Sequence, residues 1–202
     1  MKKTETVFIL DRSGSMSGLE SDTIGGYNSI LSKQKESGEA INVTTVLFDD
    51  RYELLYDRTD IRKTEPLTEK EYYVRGTTAL VDAIGRTLSR FKGQAPDSKV
   101  VFIITTDGYE NASREYDISQ VRKMIEQQKE KGWEFIFMGA NIDAVSAGSS
   151  FGIARNVNFH HDSQGVQTAY RSMARAVESF ILNGRVDESW DREVNEDYNS
   201  RR

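Results

Sequence analysis

Cysteine is absent from the 202 residues, and histidine occurs only twice. The first absence excludes disulfides, thiol catalysis and thiolate metal sites, and the second leaves zinc chemistry very little to work with. No excess of positive charge is present either. A net charge of −5 and a pI near 5.2 argue against a broad nucleic-acid footprint. No apolar run approaches the ~20 residues of a membrane span, and no glycine fingerprint for cradling phosphate appears. Lys2 and Lys3 precede only Val7–Leu10 before Asp11 stops the apolar run, too short for a secretion signal. The resulting expectation is a cytoplasmic protein with no membrane or nucleic-acid partner.

At 37% hydrophobic and 29% charged residues, the composition is that of an ordinary globular protein with one sizeable core. The apolar run Val7-Phe8-Ile9-Leu10 leads straight into Asp11, as in a strand buried on both faces of a parallel sheet. Ile24, Tyr27 and Leu31 mark a first helix, which Ser37-Gly38 closes. Ile41–Phe48 predicts a second strand, Asp49-Asp50 a tight turn, and Arg51–Tyr56 an antiparallel edge strand whose Arg51 and Glu53 discourage further pairing.

Residues 59–75 form a polar connection ending at Gly76-Thr77-Thr78. Leu80, Ala83, Ile84, Leu88 and Phe91 then trace an amphipathic helix. Val100–Ile104, the most apolar run in the chain, ends in Thr105-Thr106-Asp107-Gly108 and repeats the opening pattern. A helix capped by Asp117, a buried strand at Phe135–Met138, a short helix, a weak strand at Val157–Phe159 and a long helix from Val166 to Phe180 follow. Strands alternating with helices predict an α/β fold: doubly wound, a mostly parallel central sheet of about six strands, one antiparallel edge strand, helices on both faces. Residues 1–184 form the domain, and 185–202 read as a loosely held polar tail.

Three groups stand at strand exits or turns: Asp11-x-Ser13-x-Ser15, Gly76-Thr77-Thr78, and Asp107. Neighbouring strands of a doubly wound sheet present their carboxyl ends side by side, so these groups can converge where open α/β sheets bind ligands. All three offer only oxygen, the ligand set of a hard cation such as magnesium, manganese or calcium. Hydroxyls are neutral ligands, so a cation held largely by them keeps positive charge and attracts an anionic oxygen from outside.

Asp11-Arg12-Ser13-Gly14-Ser15, then Gly76-Thr77-Thr78-Ala79-Leu80, then Thr106-Asp107-Gly108 resemble the metal-ion-dependent adhesion site of von Willebrand factor type A domains. The similarity spans roughly Thr4 to Ile181, and is greater to small bacterial intracellular single-domain members than to adhesion receptors. It implies a Rossmann-like fold and a divalent cation, Mg2+ foremost with Mn2+ or Ca2+ as alternatives. The implied ligands are Asp11, Ser13, Ser15, Thr78 and Asp107. The family pattern Gly-Gly-Thr has its next helix's apolar residue six positions on. Thr78 with Ile84 keeps that register, with Thr77 as the alternative. The resemblance further implies a partner protein that presents a Glu or Asp carboxylate to the cation, no catalysis and no small-molecule substrate. Tyr109, Asn141 and Asp143 are candidates for a partner-binding rim.

Two other readings compete. One is a magnesium-dependent phosphoryl-transfer enzyme with Asp11 as nucleophile, opposed by Ser13 standing where such an enzyme would place a second acid. The other is a scaffold that metal merely stabilises, binding through another surface. His160-His161-Asp162 reads as a strand exit with Asp162 capping a helix, since adjacent histidines on a strand point to opposite faces. Tyr109, Glu110 and Asn111 read equally as partner contacts or as a solvated loop.

Overall fold

The computed structural model describes residues 3–95, 97–140 and 143–201. Six strands, β1 (Thr4–Asp11), β2 (Ile41–Phe48), β3 (Tyr52–Asp60), β4 (Lys99–Thr106), β5 (Glu134–Ala140) and β6 (Arg155–Phe159), form one sheet in the order β3-β2-β1-β4-β5-β6. All neighbours are parallel except β2 and β3. The chain runs outward from β1 to β2 and β3, then crosses back to β4 on the other side of β1. The crevice between the carboxyl ends of β1 and β4 is therefore the topological switch point, where open α/β sheets take ligands.

Side-chain alternation explains why both faces of the sheet are covered. Val7 and Ile9 face one way and Phe8 and Leu10 the other, and all four are fully buried. Phe8 and Leu10 pack beneath α1 (Glu20–Glu36) and α5 (Ser163–Asn183), through Tyr27, Leu31, Met173 and Phe180. Val7 and Ile9 meet α2 (Leu80–Phe91) and α3 (Ile118–Lys129) through Ile84, Leu88, Val121 and Ile125. A short α4 (Ala144–Ser150) closes the space between β5 and β6, and no described helix is long and apolar enough to cross a membrane.

The expected helix boundaries hold where their chemistry is local. Asp117 caps α3 in a reciprocal box: its carboxylate accepts from the Gln120 N–H at 2.8 Å, and the Gln120 side chain accepts from the Asp117 N–H at 2.9 Å. Asp117→Ala is expected to lower the unfolding free energy by about 1 kcal/mol. Urea denaturation reads this directly, and an unchanged midpoint would show that the box contributes nothing. Asp162 caps α5 through the Gly165 N–H at 2.7 Å, and Gly184 ends that helix in the left-handed region at φ 73°.

Two expectations need correction. The antiparallel strand runs past Tyr56 to Asp60, because register shifts on either side of Thr45, each placing an extra residue on β3, let the pair continue. The residues from Arg185 are not a loose tail. Val186, Trp190 and Val194 recur at helical spacing, are at most 3% exposed, and seal the region where α6 (Arg192–Ser200) packs on α5 and β6. Ion pairs from Arg171 to Glu193 (2.6 Å) and from Arg201 to Asp162 (2.6 Å) fasten the same segment. Its high polarity hid a three-residue apolar stripe.

Candidate metal centre

Asp11 ends β1 and is 1% exposed. Its Oδ1 accepts the Ser13 N–H at 2.7 Å and its Oδ2 accepts the Thr106 hydroxyl at 2.6 Å, so the carboxylate ties the first loop to the exit of β4. The turn over Gly14–Met16 then brings Ser13 Oγ to within 3.0 Å of Ser15 Oγ, and Ser15 Oγ donates to Asp107 Oδ1 at 2.6 Å. The second loop is zipped onto the first by Arg75 N–H to Arg12 O (2.9 Å) and Gly14 N–H to Gly76 O (3.2 Å). Gly76 sits at φ 65°, and a Cβ there would lie 2.1 Å from Asp50 Oδ1, so only glycine fits.

Thr78 is buried and Thr77 exposed. A Cβ built on Gly108 would lie 3.0 Å from Thr78 Oγ1, 3.1 Å from Ser15 Oγ and 3.8 Å from Ser13 Oγ. Three hydroxyls therefore converge on the one residue that has no side chain to fill the space between them. Asp11, Ser13, Ser15, Thr78 and Asp107 are brought together.

Burial dominates the electrostatics. It pushes the Asp11 carboxyl up to about 6, against the hydrogen bonds from Thr106 and Ser13, with repulsion from Asp107 adding to the rise. Asp107 is likewise raised, mainly by burial, while the Ser15 hydroxyl and His161 oppose the shift. Asp107 Oδ2 is buried with no aligned hydrogen-bond donor. Two buried acids and three convergent hydroxyls are oxygen donors of the kind a hard divalent cation takes. Ligands at right angles and about 2.1 Å from magnesium lie about 3.0 Å apart, which is the observed Ser13–Ser15 spacing. The residues fit the ion. Among the described residues no group of three or more Asp, Glu, His or Cys forms a competing metal cage.

The structural roles of several residues around this cluster went unread in the sequence. Arg12, the spacer between Asp11 and Ser13, is fully buried and donates to Asp49 Oδ2 (3.1 Å), Glu53 Oε2 (2.6 Å) and Glu71 O (3.0 Å). Glu53 thus serves as a partner of Arg12 as well as an edge charge. Tyr72 donates to the Asp11 carbonyl at 2.5 Å. Asn111 holds Thr78 from both sides, accepting its N–H at 2.9 Å and donating its own backbone N–H to the Thr78 carbonyl at 3.0 Å. Glu110 accepts from the N–H groups of Val81, Ala112 and Ser113 and serves the start of α2. The acids at the Asp49-Asp50 turn and the arginine beside Gly76 were the available signals.

Of the rim candidates, Tyr109 is 69% exposed and lines an open cleft of about 280 Å³ with Leu80, Ile118 and Phe151. Asp143 caps α4 through the Ser146 N–H at 3.0 Å and borders the same cleft. Asn141 lies outside the described residues. The two histidines diverge: His160 stacks on Tyr198, whereas His161 reaches the metal centre.

An open, doubly wound sheet with a hydroxyl-rich acidic cluster at its switch point defines a Rossmann-like α/β domain. The model of the von Willebrand factor type A domain matches residues 5–178, and the chain belongs to that family. Comparison with curated proteins finds no match. Among solved structures, the von Willebrand factor domain of the type V pili tip protein Mfa5 from Porphyromonas gingivalis is 13% identical, with a TM-score of 0.65 and coverage of 93% of this chain and 99% of that one. The pilus adhesin SpaC from Lactobacillus rhamnosus GG, in its open conformation, is 13% identical with a TM-score of 0.67, covering 90% of this chain and 30% of that one. The PilB minor pilin from Streptococcus sanguinis is 12% identical with a TM-score of 0.59, covering 89% and 62%. The chain thus spans less than two thirds of PilB and under one third of SpaC, and these likenesses show a shared fold.

Proposed function

We propose that this domain binds a protein partner through a divalent cation, Mg2+ foremost, held by Ser13, Ser15 and Thr78 with Asp11 and Asp107. The observation that carries the reading is the convergence of three neutral hydroxyls on the side-chain-free position of Gly108. The bound cation would supply a positive, electrophilic position that accepts a Glu or Asp carboxylate from the partner. Asp11 fixes the loop and balances charge, Asp107 holds the Ser15 hydroxyl, and Asn111 fixes Thr78. Tyr109 and the cleft beside Asp143 offer the partner a flanking surface. That Mfa5 is a pilus tip protein and SpaC a pilus adhesin agrees with a role in protein contact.

The phosphoryl-transfer reading is weaker, because both Asp11 oxygens are engaged, by the Ser13 N–H and the Thr106 hydroxyl, at a fully buried position. A nucleophile needs a free, accessible lone pair. Isothermal titration of Mg2+ or Mn2+ into chelator-treated protein should give saturable binding to wild type and none to Asp11→Ala. Equal binding by both, or none by either, would sink the metal assignment.

A further inference from the structure

We infer that His161 is a positioning residue of the metal centre, its imidazole N–H holding the Ser15 carbonyl and its ring edge set against Asp107 Oδ2. The inference rests on the metal reading above and extends it to a residue outside the hydroxyl-carboxylate set. His161 lies in the short link between β6 and α5, on the opposite side of the chain's sequence from its contacts. Its Nε2 is 2.9 Å from the Ser15 carbonyl oxygen, and 2.8 Å from Asp107 Oδ2, which it faces off-axis.

Both neighbours of Nε2 are acceptors. A bare nitrogen lone pair there would be repelled by both, so Nε2 carries the hydrogen and acts as a donor. The two oxygens of Asp107 are thereby divided. Oδ1 takes the Ser15 hydroxyl at 2.6 Å and faces the cluster where the cation would bind, whereas Oδ2 turns to the imidazole. No aligned donor reaches Oδ2, so the imidazole edge, 2.8 Å away, is the polar group that faces it. Without His161 the buried carboxylate keeps only the Ser15 hydroxyl, and the Ser15 peptide loses the contact that sets that hydroxyl.

The link that carries the imidazole is itself held. Asp162 caps α5 and pairs with Arg201 at 2.6 Å, and His160 is stacked on Tyr198 with Nε2 3.1 Å from its carbonyl oxygen. A Cβ on Gly165 would lie 2.1 Å from the His160 carbonyl, so α5 starts pressed against this link. Donors that fix a ligating carboxylate typically change metal affinity 10–100-fold when removed.

The test is Mn2+ titration of wild type, Asp107→Ala, His161→Ala and His161→Gln. Asp107→Ala should abolish binding. His161→Ala should weaken it about tenfold or more, and His161→Gln, which restores an N–H donor at similar reach, should stay within about threefold of wild type. Melting of the metal-free proteins should differ little between His161→Ala and His161→Gln, separating positioning from general stability. Pulsed electron paramagnetic resonance of Mn2+-loaded wild type should show no directly bound nitrogen. A tight His161→Ala variant, a Gln variant no better than Ala, or strong nitrogen coupling in wild type each overturns the positioning role while the metal reading stands. Wild type that binds no Mn2+ overturns both.

Discussion

Asp11→Asn is expected to stabilise the chelator-treated protein by about 2 kcal/mol at about pH 7.5, to add almost nothing near pH 4, and to remove the gain that Mg2+ gives wild type. Burial lifts the folded-state Asp11 carboxyl from 3.8 to about 6. The folded protein therefore holds that proton more tightly than the unfolded chain. The resulting stability is fully present below 3.8, is lost as the pH rises to about 6, and is gone above it. A difference of that size corresponds to about 3 kcal/mol.

Asparagine cannot ionise and escapes the penalty. Its carbonyl still accepts the Ser13 N–H, and its amide donates to Thr106 Oγ1, whose hydroxyl can turn to the Gly108 carbonyl 3.2 Å away. The remade contacts are less good than the originals, hence about 2 rather than 3 kcal/mol, or a rise in Tm of roughly 4–8 °C. Urea denaturation in EDTA at both pH values measures it. An asparagine variant no more stable than wild type at the higher pH would show that Asp11 carries no buried-charge penalty. Under the proposed reading, a charge that destabilises the empty fold is kept for the cation it would serve.

The opening strand and the convergence of the five candidate residues were legible because both are written locally. Val7–Leu10 must bury two faces, so they specify a central parallel strand, and Asp11 at its exit can only stand at the carboxyl edge. The same holds for Thr106-Asp107-Gly108. Thr78 was separable from Thr77 by helix register alone, and the structure buries the first and exposes the second. His161, Asn111 and Arg12 were not legible, because their roles depend on which segments meet in space. Ser15 and His161 are 146 residues apart, and nothing in the local pattern of His160-His161-Asp162 distinguishes the ring that turns inward from the one that stacks on Tyr198. The C-terminal helix was missed for a different reason. The apolar stripe of the segment leading into it, Val186, Trp190 and Val194, is only three residues deep, and charge around it outweighs it in any average.

Asp49→Ala is expected to cost about 3 kcal/mol of stability, and to weaken cation binding by the surviving folded protein. Asp49 Oδ2 accepts from Arg12 Nε (3.1 Å) and Arg75 Nε (2.6 Å), and its Oδ1 accepts from the Arg51 N–H (2.7 Å). Arg12 and Asp49 are both completely buried, so removing the carboxylate leaves a guanidinium in the interior with less than its charge in compensation. Removing one partner of a buried pair costs ~3–5 kcal/mol. The lower end applies because Arg12 keeps Glu53 and the Glu71 carbonyl. Glu53→Ala should cost under about 1 kcal/mol, since that carboxylate is 46% exposed and water can replace much of it. The site suffers as well as the fold, because Arg12 is the hinge between the two ligand loops: its carbonyl accepts the Arg75 N–H, and the Asp49 carbonyl accepts the Ala79 N–H beside Thr78. Loosening that staple lets Ser13 and Thr78 drift apart, while Asp107 stays fixed on β4. Urea denaturation of the two variants against wild type decides the matter. Equal small losses for both would mean that the Arg12 charge is not effectively buried, and that the loops are held by their backbone hydrogen bonds alone.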